Sequence, residues 1–216
     1  MKLITTIMCL MNLINKGFKY VVETSNLYNI DESHALKHSM EVYGFARKIY
    51  ESEIINNPYL EEQKEIIYMA AIGHDMCDKK YMNETEGIQR YKNFLSENMK
   101  KDDIKVMGKI IETMSYSKVK VNGYPNLGDY QLAYHIVREA DLLTAYDIDR
   151  CIIYGMFVEK LDYDKALNRA IKLFESRVLT HISDNLFITQ YSKKEAFQKH
   201  IKAQEDFDFL KKHLDQ

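Results

Sequence analysis

The chain has 216 residues, which is enough for one domain with a sizeable core or for two small domains. Apolar residues make up 46% of it and charged residues 29%, the balance of an ordinary globular protein. Its 30 basic and 32 acidic side chains nearly cancel, which excludes the strong positive field that nucleic acid or an anionic membrane surface requires. We therefore expect neither nucleic acid nor a membrane as a partner.

The cysteines indicate the redox environment. Cys9, Cys77 and Cys151 are odd in number and far apart, and no two of them form a CxxC pair. Disulfide frameworks and thiolate zinc sites use paired or closely spaced cysteines. We therefore expect free thiols and a cytoplasmic protein.

The first twenty residues, MKLITTIMCLMNLINKGFKY, place one lysine before a largely apolar stretch. Threonines and an asparagine interrupt that stretch, no small-residue cleavage site follows it, and a membrane-spanning helix needs roughly 20 apolar residues. A packed helix explains this pattern better than a signal segment. We assign residues 1–24 to an N-terminal helical extension.

Helical periodicity runs through most of the chain. Proline occurs twice and glycine eight times, while apolar residues recur at three- and four-residue spacing. The pattern predicts an all-α, single-domain helical bundle. The predicted helices cover residues 3–16, 18–28, 33–56, 60–77, 84–97, 101–116, 130–145, 147–160, 163–178 and 192–214.

Two segments outside the central helices also have a clear pattern. The segment YSKVKVNGYPNLGD, 116–129, contains an Asn-Gly pair, a proline and a second glycine, and it is predicted to be a loop. We assign residues 181–216 to a charged C-terminal helix packed on the domain. The side chains predicted to dock this helix are Phe197, Ile201, Phe207 and Leu210.

The predicted helix 33–56 directs a histidine toward the core. His38 lies on the apolar stripe, three residues after Ala35 and four before Val42. His34, one turn earlier, lies at the edge of the stripe and could form an HxxxH pair with His38. The glutamate of an HExxH zinc-protease site is missing, because residue 35 is alanine.

The predicted helix 60–77 becomes almost wholly apolar before it reaches His74 and Asp75. Successive residues of a helix lie about 100° apart around its axis. At least one of these two side chains must therefore face protein.

The predicted helix 130–145 carries a carboxylate on its apolar stripe. Asp141 follows Val137 by one turn, whereas Arg138 and Glu139 fall off the stripe. Asp141 is therefore the predicted inward charge of this helix.

Buried carboxylates and imidazoles need partners for their charge and for their ring nitrogens. Taken singly, His38 could be a satisfied core histidine, and Asp141 could pair with Arg138. One shared divalent cation explains all the inward groups together, since two neutral imidazoles and two carboxylates would neutralise it. Helix bundles build metal sites in this way, with ligands from facing helices.

The order His38, His74-Asp75, Asp141 resembles the H…HD…D signature of the HD-domain metal-dependent phosphohydrolases. DESHALKHSMEVYGFA, AAIGHDMCDKKY and READLLTA are similar to the family's opening helix, its HDxxDxK segment and its closing Asp helix. IIETMSYSK, 110–118, is similar to a region of one bacterial subgroup of small HD hydrolases, some of which are nucleotide pyrophosphohydrolases. The resemblance covers residues 25–180, which we assign to an HD domain with an all-α fold.

The resemblance implies a metal site made by His38, His74, Asp75 and Asp141. Two histidines and two carboxylates suit one divalent ion, Mn²⁺ or Mg²⁺ above all, with Fe²⁺ and Zn²⁺ as alternatives. Such an ion would polarise a phosphate and activate the water that attacks it. We therefore expect a hydrolase of phosphoester or phosphoanhydride bonds, with a nucleotide as the favoured substrate.

The resemblance also implies roles around the substrate. Asp78 and Lys80 match the HDxxDxK segment, so that Asp75 and Asp78 are candidate catalytic residues and Lys80 a candidate phosphate-binding charge. Further candidates for substrate contact are His34, Tyr116, Lys118 and Arg150.

The chain departs from the subgroup's pattern at three positions. Glu41 stands where the subgroup has arginine, and Leu142 and Thr144 replace the Arg and Asp of an A-D-R-L-D-A sequence. These departures leave open a catalytically degenerate HD-domain binding module with a structural metal. A two-iron oxygenase of the HD superfamily would need further histidines between the HD pair and the last aspartate, where only His135 stands. In a purely structural bundle the four residues would only satisfy each other, and separations beyond about 8 Å would exclude a shared ion.

Overall fold

The polypeptide folds into helices joined by short turns. The computed structural model describes the backbone of residues 2–214 and the side chains of residues 8–212. Within that range there is no β-strand, and the predicted all-α, single-domain bundle is confirmed. The α-helices are α1 (Lys2–Tyr28), α2 (Leu36–Glu53), α3 (Lys64–Gly73), α4 (Glu84–Leu95), α5 (Lys101–Thr113), α6 (Tyr116–Asn122), α7 (Gln131–Thr144), α8 (Ile148–Phe157), α9 (Tyr163–Ser176) and α10 (Gln190–Leu214). Short 3-10 helices cover Pro58–Gln63, His74–Cys77, Gly128–Tyr130 and Val178–Thr180.

Helix α3 forms the centre of the bundle. Every residue from Ile66 to Gly73 is buried, because α1, α2, α5 and α7 all pack against this helix. A helix covered on every side has no polar face, which explains the uninterrupted apolar run before His74. The same packing brings the end of α3 next to α2 and α7.

Helix α1 is continuous, whereas the sequence pattern predicts two helices separated at Gly17. A Cβ at Gly17 would lie 2.6 Å from Cε of Met69 on α3, so this glycine permits close contact between the two helices. The helix continues past residue 24, and its side chains Leu13 and Val21 belong to the same core as α3. No helix within the described range is both long enough and apolar enough to cross a bilayer.

The predicted loop 116–129 is partly helical, so that prediction is wrong for its first half. Helix α6 occupies Tyr116–Asn122 and ends at Gly123, whose φ of 71° and ψ of −169° form a backbone conformation that essentially only glycine adopts. The N–H of Gly123 donates to the carbonyl of Val119 at 2.8 Å. The Asn-Gly pair therefore ends a helix here.

The prediction that Arg138 and Glu139 lie off the buried stripe of α7 is wrong. They are 1% and 0% exposed, because the segment before α10 and α10 itself cover this face of the helix. Glu139 accepts hydrogen bonds from the N–H of Thr189 at 3.1 Å and from its hydroxyl at 2.7 Å. Arg138 donates to the carbonyl of Leu186 at 3.1 Å. The deeply buried charges of α7 are thus these two, while the side chain of Asp141 remains partly exposed.

Helix α10 packs against α2 and α7 through a different face from the predicted one. Phe197 and Ile201 are exposed, whereas Ala196, Ala203 and Phe207 are buried. The small alanines let this face of the helix approach its neighbours closely, whereas Phe197 and Ile201 lie on the face exposed to solvent. The predicted docking face is therefore correct only at Phe207, with Leu210 partly buried beside the core.

Candidate metal centre

Four side chains meet where α2, the end of α3 and α7 come together. His38 projects from the first turn of α2, and Asp141 from the last turn of α7. His74 and Asp75 lie on the 3-10 helix that follows α3, not on the α-helix predicted through residue 77. The chain changes conformation at Gly73, where a Cβ would overlap the ring of Tyr91. The tighter 3-10 turn then directs both members of the HD pair toward the same place.

The donor atoms of these residues are close together. Nε2 of His38 lies 3.1 Å from Nε2 of His74 and 3.0 Å from Oδ2 of Asp75. Oδ1 of Asp141 lies 3.5 Å from Nε2 of His38 and 3.7 Å from Nε2 of His74. Ligand atoms at about 2.1 Å from one ion are about 3.0 Å apart in an octahedron and about 3.4 Å apart in a tetrahedron. The separations fit one shared ion and are far below the distance that would exclude it.

The hydrogen bonds of the histidine rings determine which nitrogen faces the cluster. Nδ1 of His74 donates to the carbonyl of Ala71 at 2.9 Å, so that the lone pair is left on Nε2. The hydroxyl of Thr144 donates to the carbonyl of Asp141 at 2.8 Å and can accept from Nδ1 of His38, 3.4 Å away. Nε2 of each ring therefore faces the same small space, where the neutral form of each ring can bind a metal ion.

A buried carboxylate oxygen completes the case for a cation. Oδ2 of Asp75 is buried, and apart from Nε2 of His38, 3.0 Å away, no described group is placed to donate a hydrogen bond to it. Such an atom costs free energy unless it is paired. A divalent ion bound by these residues would satisfy it, so the donor set fits the metal that the sequence predicts. The donor atoms of His38, His74 and Asp141 all lie within 4.8 Å of one another, and Asp75 approaches the two histidines.

The electrostatics of the cluster keep both carboxylates ionised. Burial acts to raise the pKa of Asp75 and of Asp141, but the neighbouring histidines hold each pKa well below its usual range. Burial, with the charge of Arg150, lowers the pKa of His38 to about 4. Burial also opposes protonation of His74, yet Asp75 and Asp141 together raise its pKa to about 9. A cation that binds here therefore competes with a proton on His74.

The cluster opens onto a cavity of about 330 Å³. The walls come from the His74–Cys77 turn and the residues after it, from α6 and the turn before it, and from α7, α8 and α9. His38 lies behind this surface, fully buried. All the other predicted site residues line the cavity: His34, His74, Asp75, Asp78, Lys80, Tyr116, Lys118, Asp141 and Arg150.

His34 and Lys80 contact each other at the cavity edge. His34 lies in the turn before α2 rather than in the helix, and burial lowers its pKa to about 4. Lys80 Nζ donates to the neutral Nε2 of His34 at 2.9 Å and lies 3.5 Å from Oδ2 of Asp78. The three candidate residues therefore form one group next to the HD pair.

Arg150 is held by uncharged groups. Its Nε donates to the carbonyl of Ser33 at 2.8 Å, and its Nη1 donates to the hydroxyl of Thr144 at 2.7 Å. Within the described part of the chain, no carboxylate forms an ion pair with it, so its charge is available to a ligand. Lys118 differs, because it is already paired with Glu84 at 2.5 Å and donates to the carbonyl of Glu112 at 2.6 Å.

The cavity also contains aromatic and basic residues that are absent from the sequence-based candidates. Tyr154 of α8, Arg169 of α9 and Arg177 just after α9 all line the cavity. The guanidinium carbon of Arg177 is 4.1 Å from the centroid of the Tyr116 ring. No local sequence pattern marks these residues, because α8 and α9 reach the site only through the tertiary fold.

The fold and the cluster define a helical-bundle protein with two histidines and two carboxylates at the wall of a cavity rich in basic residues. Among solved structures, the chain is similar to a Lactobacillus plantarum protein whose crystal structure comes from the Northeast Structural Genomics programme. The two share 20% sequence identity with a TM-score of 0.69, over 94% of this chain and 96% of that one. No family model and no curated protein matches the chain. The likeness therefore shows a common fold along nearly the whole chain and assigns no activity.

Proposed function

We propose that the protein is an HD-type, metal-dependent phosphohydrolase that cleaves a phosphoester or phosphoanhydride bond, with a nucleotide as the favoured substrate. One observation carries the proposal: the Nε2 atoms of His38 and His74 lie 3.0 to 3.7 Å from each other and from carboxylate oxygens of Asp75 and Asp141. The cavity beside them contains Arg150, a guanidinium without an ion pair among the described residues. The sequence resemblance to the HD-domain phosphohydrolases supports it, since the same four residues match that family's ligand order.

The four residues would hold Mn²⁺ or Mg²⁺, and Fe²⁺ and Zn²⁺ suit the same donors. When bound, such an ion supplies a Lewis acid for the phosphoryl oxygens and lowers the pKa of a water toward roughly 7. The hydrogen bonds from the Nδ1 atoms of His38 and His74 fix the ring orientations, so that the ligand set is arranged in advance.

The remaining residues of the site act on the substrate. Asp78 orients the attacking water and accepts its proton, and its Oδ1 is itself fixed by the N–H of Lys80 at 2.8 Å. Lys80 and Arg150 stabilise the negative charge that develops on the phosphoryl oxygens. His34 keeps Lys80 in place, because Nε2 of the neutral ring accepts from Nζ.

Two alternative functions would require different features at this site. A degenerate module would bind the ion without turnover, and its metal would have no need of a cavity lined by basic side chains. A two-iron oxygenase would require His135 as an additional ligand, but Nε2 of His135 is 3.2 Å from Nε2 of Gln131 and its ring packs against Tyr124, outside the cavity lining. Both observations favour a one-metal hydrolase.

The test is hydrolysis by the purified protein with added Mn²⁺ or Mg²⁺, using nucleoside mono- and triphosphates and a chromogenic phosphodiester, together with elemental analysis for bound metal. We expect release of phosphate or pyrophosphate that chelation abolishes. The Asp75→Ala variant should lose activity by at least about 100-fold. The matched control, Asp102→Ala, removes an exposed carboxylate on α5 and should behave like wild type. Undiminished hydrolysis by Asp75→Ala would refute the proposal.

A further inference from the structure

The cavity contains more positive charge than one phosphate group needs. Its charged lining residues are the cations Lys79, Lys80, Lys118, Arg150, Arg169 and Arg177 and the carboxylates Asp75, Asp78, Glu84, Asp141 and Asp147. A divalent ion at the metal centre would offset Asp75 and Asp141. The six cations of the lining would then outnumber its three remaining carboxylates, Asp78, Glu84 and Asp147.

The excess charge is concentrated on a few side chains. Lys80 lies near Asp78, Lys118 is paired with Glu84, and Arg169 is paired with Glu159 at 2.6 Å. These cations are already compensated by carboxylates. The cavity cations without an ion pair among the described residues are Lys79, Arg150 and Arg177, and Lys79 is exposed to solvent.

Arg150 and Arg177 occupy different parts of the cavity wall. Arg150 is bonded to Thr144, whose hydroxyl also contacts the metal-site residue His38, so its guanidinium belongs to the metal end. Arg177 follows α9 and lies against the ring of Tyr116 at the start of α6.

The surroundings of Arg177 are suited to an anion. Its guanidinium stacks on Tyr116 and forms no hydrogen bond to a described residue, so its N–H groups are free to donate. The C-terminal end of α9 favours a cation at this position, which helps to keep the arginine in place. Ser115 and Ser117 line the cavity beside Tyr116, and the side chain of Ser115 does not cap α6.

We propose that Arg177, Ser115 and Ser117 form a second anion subsite, which binds a phosphate group of the substrate other than the one at the metal centre. The inference rests on the proposed phosphohydrolase function and narrows it, because the substrate then carries at least two phosphate groups. A planar guanidinium, together with hydroxyl groups that line the same cavity, can bind phosphate oxygens through several hydrogen bonds at once. A substrate with one phosphate would bind the metal end and leave Arg177 unpaired.

The experiment compares the Arg177→Gln variant with wild type on a nucleoside triphosphate and on the monophosphate of the same nucleoside, with Mn²⁺ present. We expect KM for the triphosphate to rise by about 10- to 100-fold, and KM for the monophosphate to change by less than about 3-fold. Where one of the two is not hydrolysed, its inhibition constant replaces KM. The thermal midpoint of the variant establishes that it is folded.

The matched control is Arg169→Gln, which also removes one positive charge from the cavity but from a side chain already paired with Glu159. We expect this control to change KM for either nucleotide by less than about 3-fold. Equal losses for the two nucleotides in Arg177→Gln, no loss for either, or a loss in Arg169→Gln as large as in Arg177→Gln would each overturn the subsite.

A binding measurement separates failure of the subsite from failure of the proposed function. Inorganic triphosphate is titrated calorimetrically into the Mn²⁺-loaded protein, which requires no hydrolysis. If wild type hydrolyses nothing but binds triphosphate at least about 10-fold more tightly than Arg177→Gln, the subsite stands and the enzymatic proposal fails. If triphosphate does not bind wild type, or binds both proteins equally, the subsite is wrong.

Discussion

At the scale of single residues, Thr144 connects the candidate metal centre to the cavity beside it. Its buried hydroxyl donates to the carbonyl of Asp141 and accepts from Nη1 of Arg150, and it lies 3.4 Å from Nδ1 of His38. One small side chain therefore orients a metal-site histidine and a cavity arginine together. This is also a position where the chain departs from the HD subgroup it resembles, so a hydroxyl here takes a place that the subgroup gives to a carboxylate.

We predict that Thr144→Val weakens Mn²⁺ binding by about 10-fold, because Nδ1 of His38 and Nη1 of Arg150 both lose their acceptor at nearly constant side-chain volume. Thr144→Ser keeps the hydroxyl and should bind the ion within about 2-fold of wild type. Calorimetric titration of the metal-free proteins with Mn²⁺ measures both effects. Equal affinity in the Val and Ser variants would show that the hydroxyl does not position the ligands.

At the scale of secondary-structure elements, the end of α3 determines the direction of the HD pair. Gly73 is the last residue of α3, and the ring of Tyr91 on α4 occupies the space where a side chain would lie. The hydroxyl of Tyr91 donates to the carbonyl of Met69 at 2.8 Å, which holds the ring against the helix. The change from α-helix to 3-10 helix at this point therefore depends on packing between α3 and α4.

We predict that Gly73→Ala lowers the free energy of unfolding by about 1–3 kcal/mol, since the added methyl group overlaps a ring that is buried and hydrogen-bonded. Gly44→Ala is the matched control: Gly44 lies within α2, and no atom of the described residues lies within 4 Å of the added methyl, so this variant should be more stable than wild type by up to about 1 kcal/mol. Urea denaturation measures both. A Gly73→Ala variant as stable as wild type would mean that Tyr91 moves aside without cost.

Helical periodicity was sufficient to predict the all-α fold and the buried position of His38 on the apolar stripe of α2. Asp141 lies beside the same cluster, but its side chain is partly exposed. The periodicity could not predict that Arg138 and Glu139 are buried. Their partners, Leu186 and Thr189, are 48 and 50 residues away in sequence, and the covering segment is positioned only by the tertiary fold. Local patterns identify a face of a helix, and they do not show how many of its faces are covered.

At the scale of the whole molecule, the candidate site depends on distant parts of the chain. The four proposed ligands come from three segments, and the cavity beside them needs α6, α8 and α9 as well. The order of the ligands was readable in the sequence, since each lies in or next to an apolar run. The contact between Arg177 and Tyr116 could not be predicted from the sequence, because no sequence pattern links the two residues.

A metal ion shared by α2, the turn after α3 and α7 would tie together three segments of the core, so its binding should stabilise the entire fold. At a Mn²⁺ concentration about 100 times Kd, linkage gives about 2.7 kcal/mol, which corresponds to a rise in Tm of about 5–10 °C for a chain of this size. Scanning calorimetry with Mn²⁺ and with a chelator measures the difference. Asp141→Asn keeps the shape of the side chain but removes the charge that offsets the cation, so its shift should be much smaller. An equal shift in this variant would place the bound ion away from the four residues.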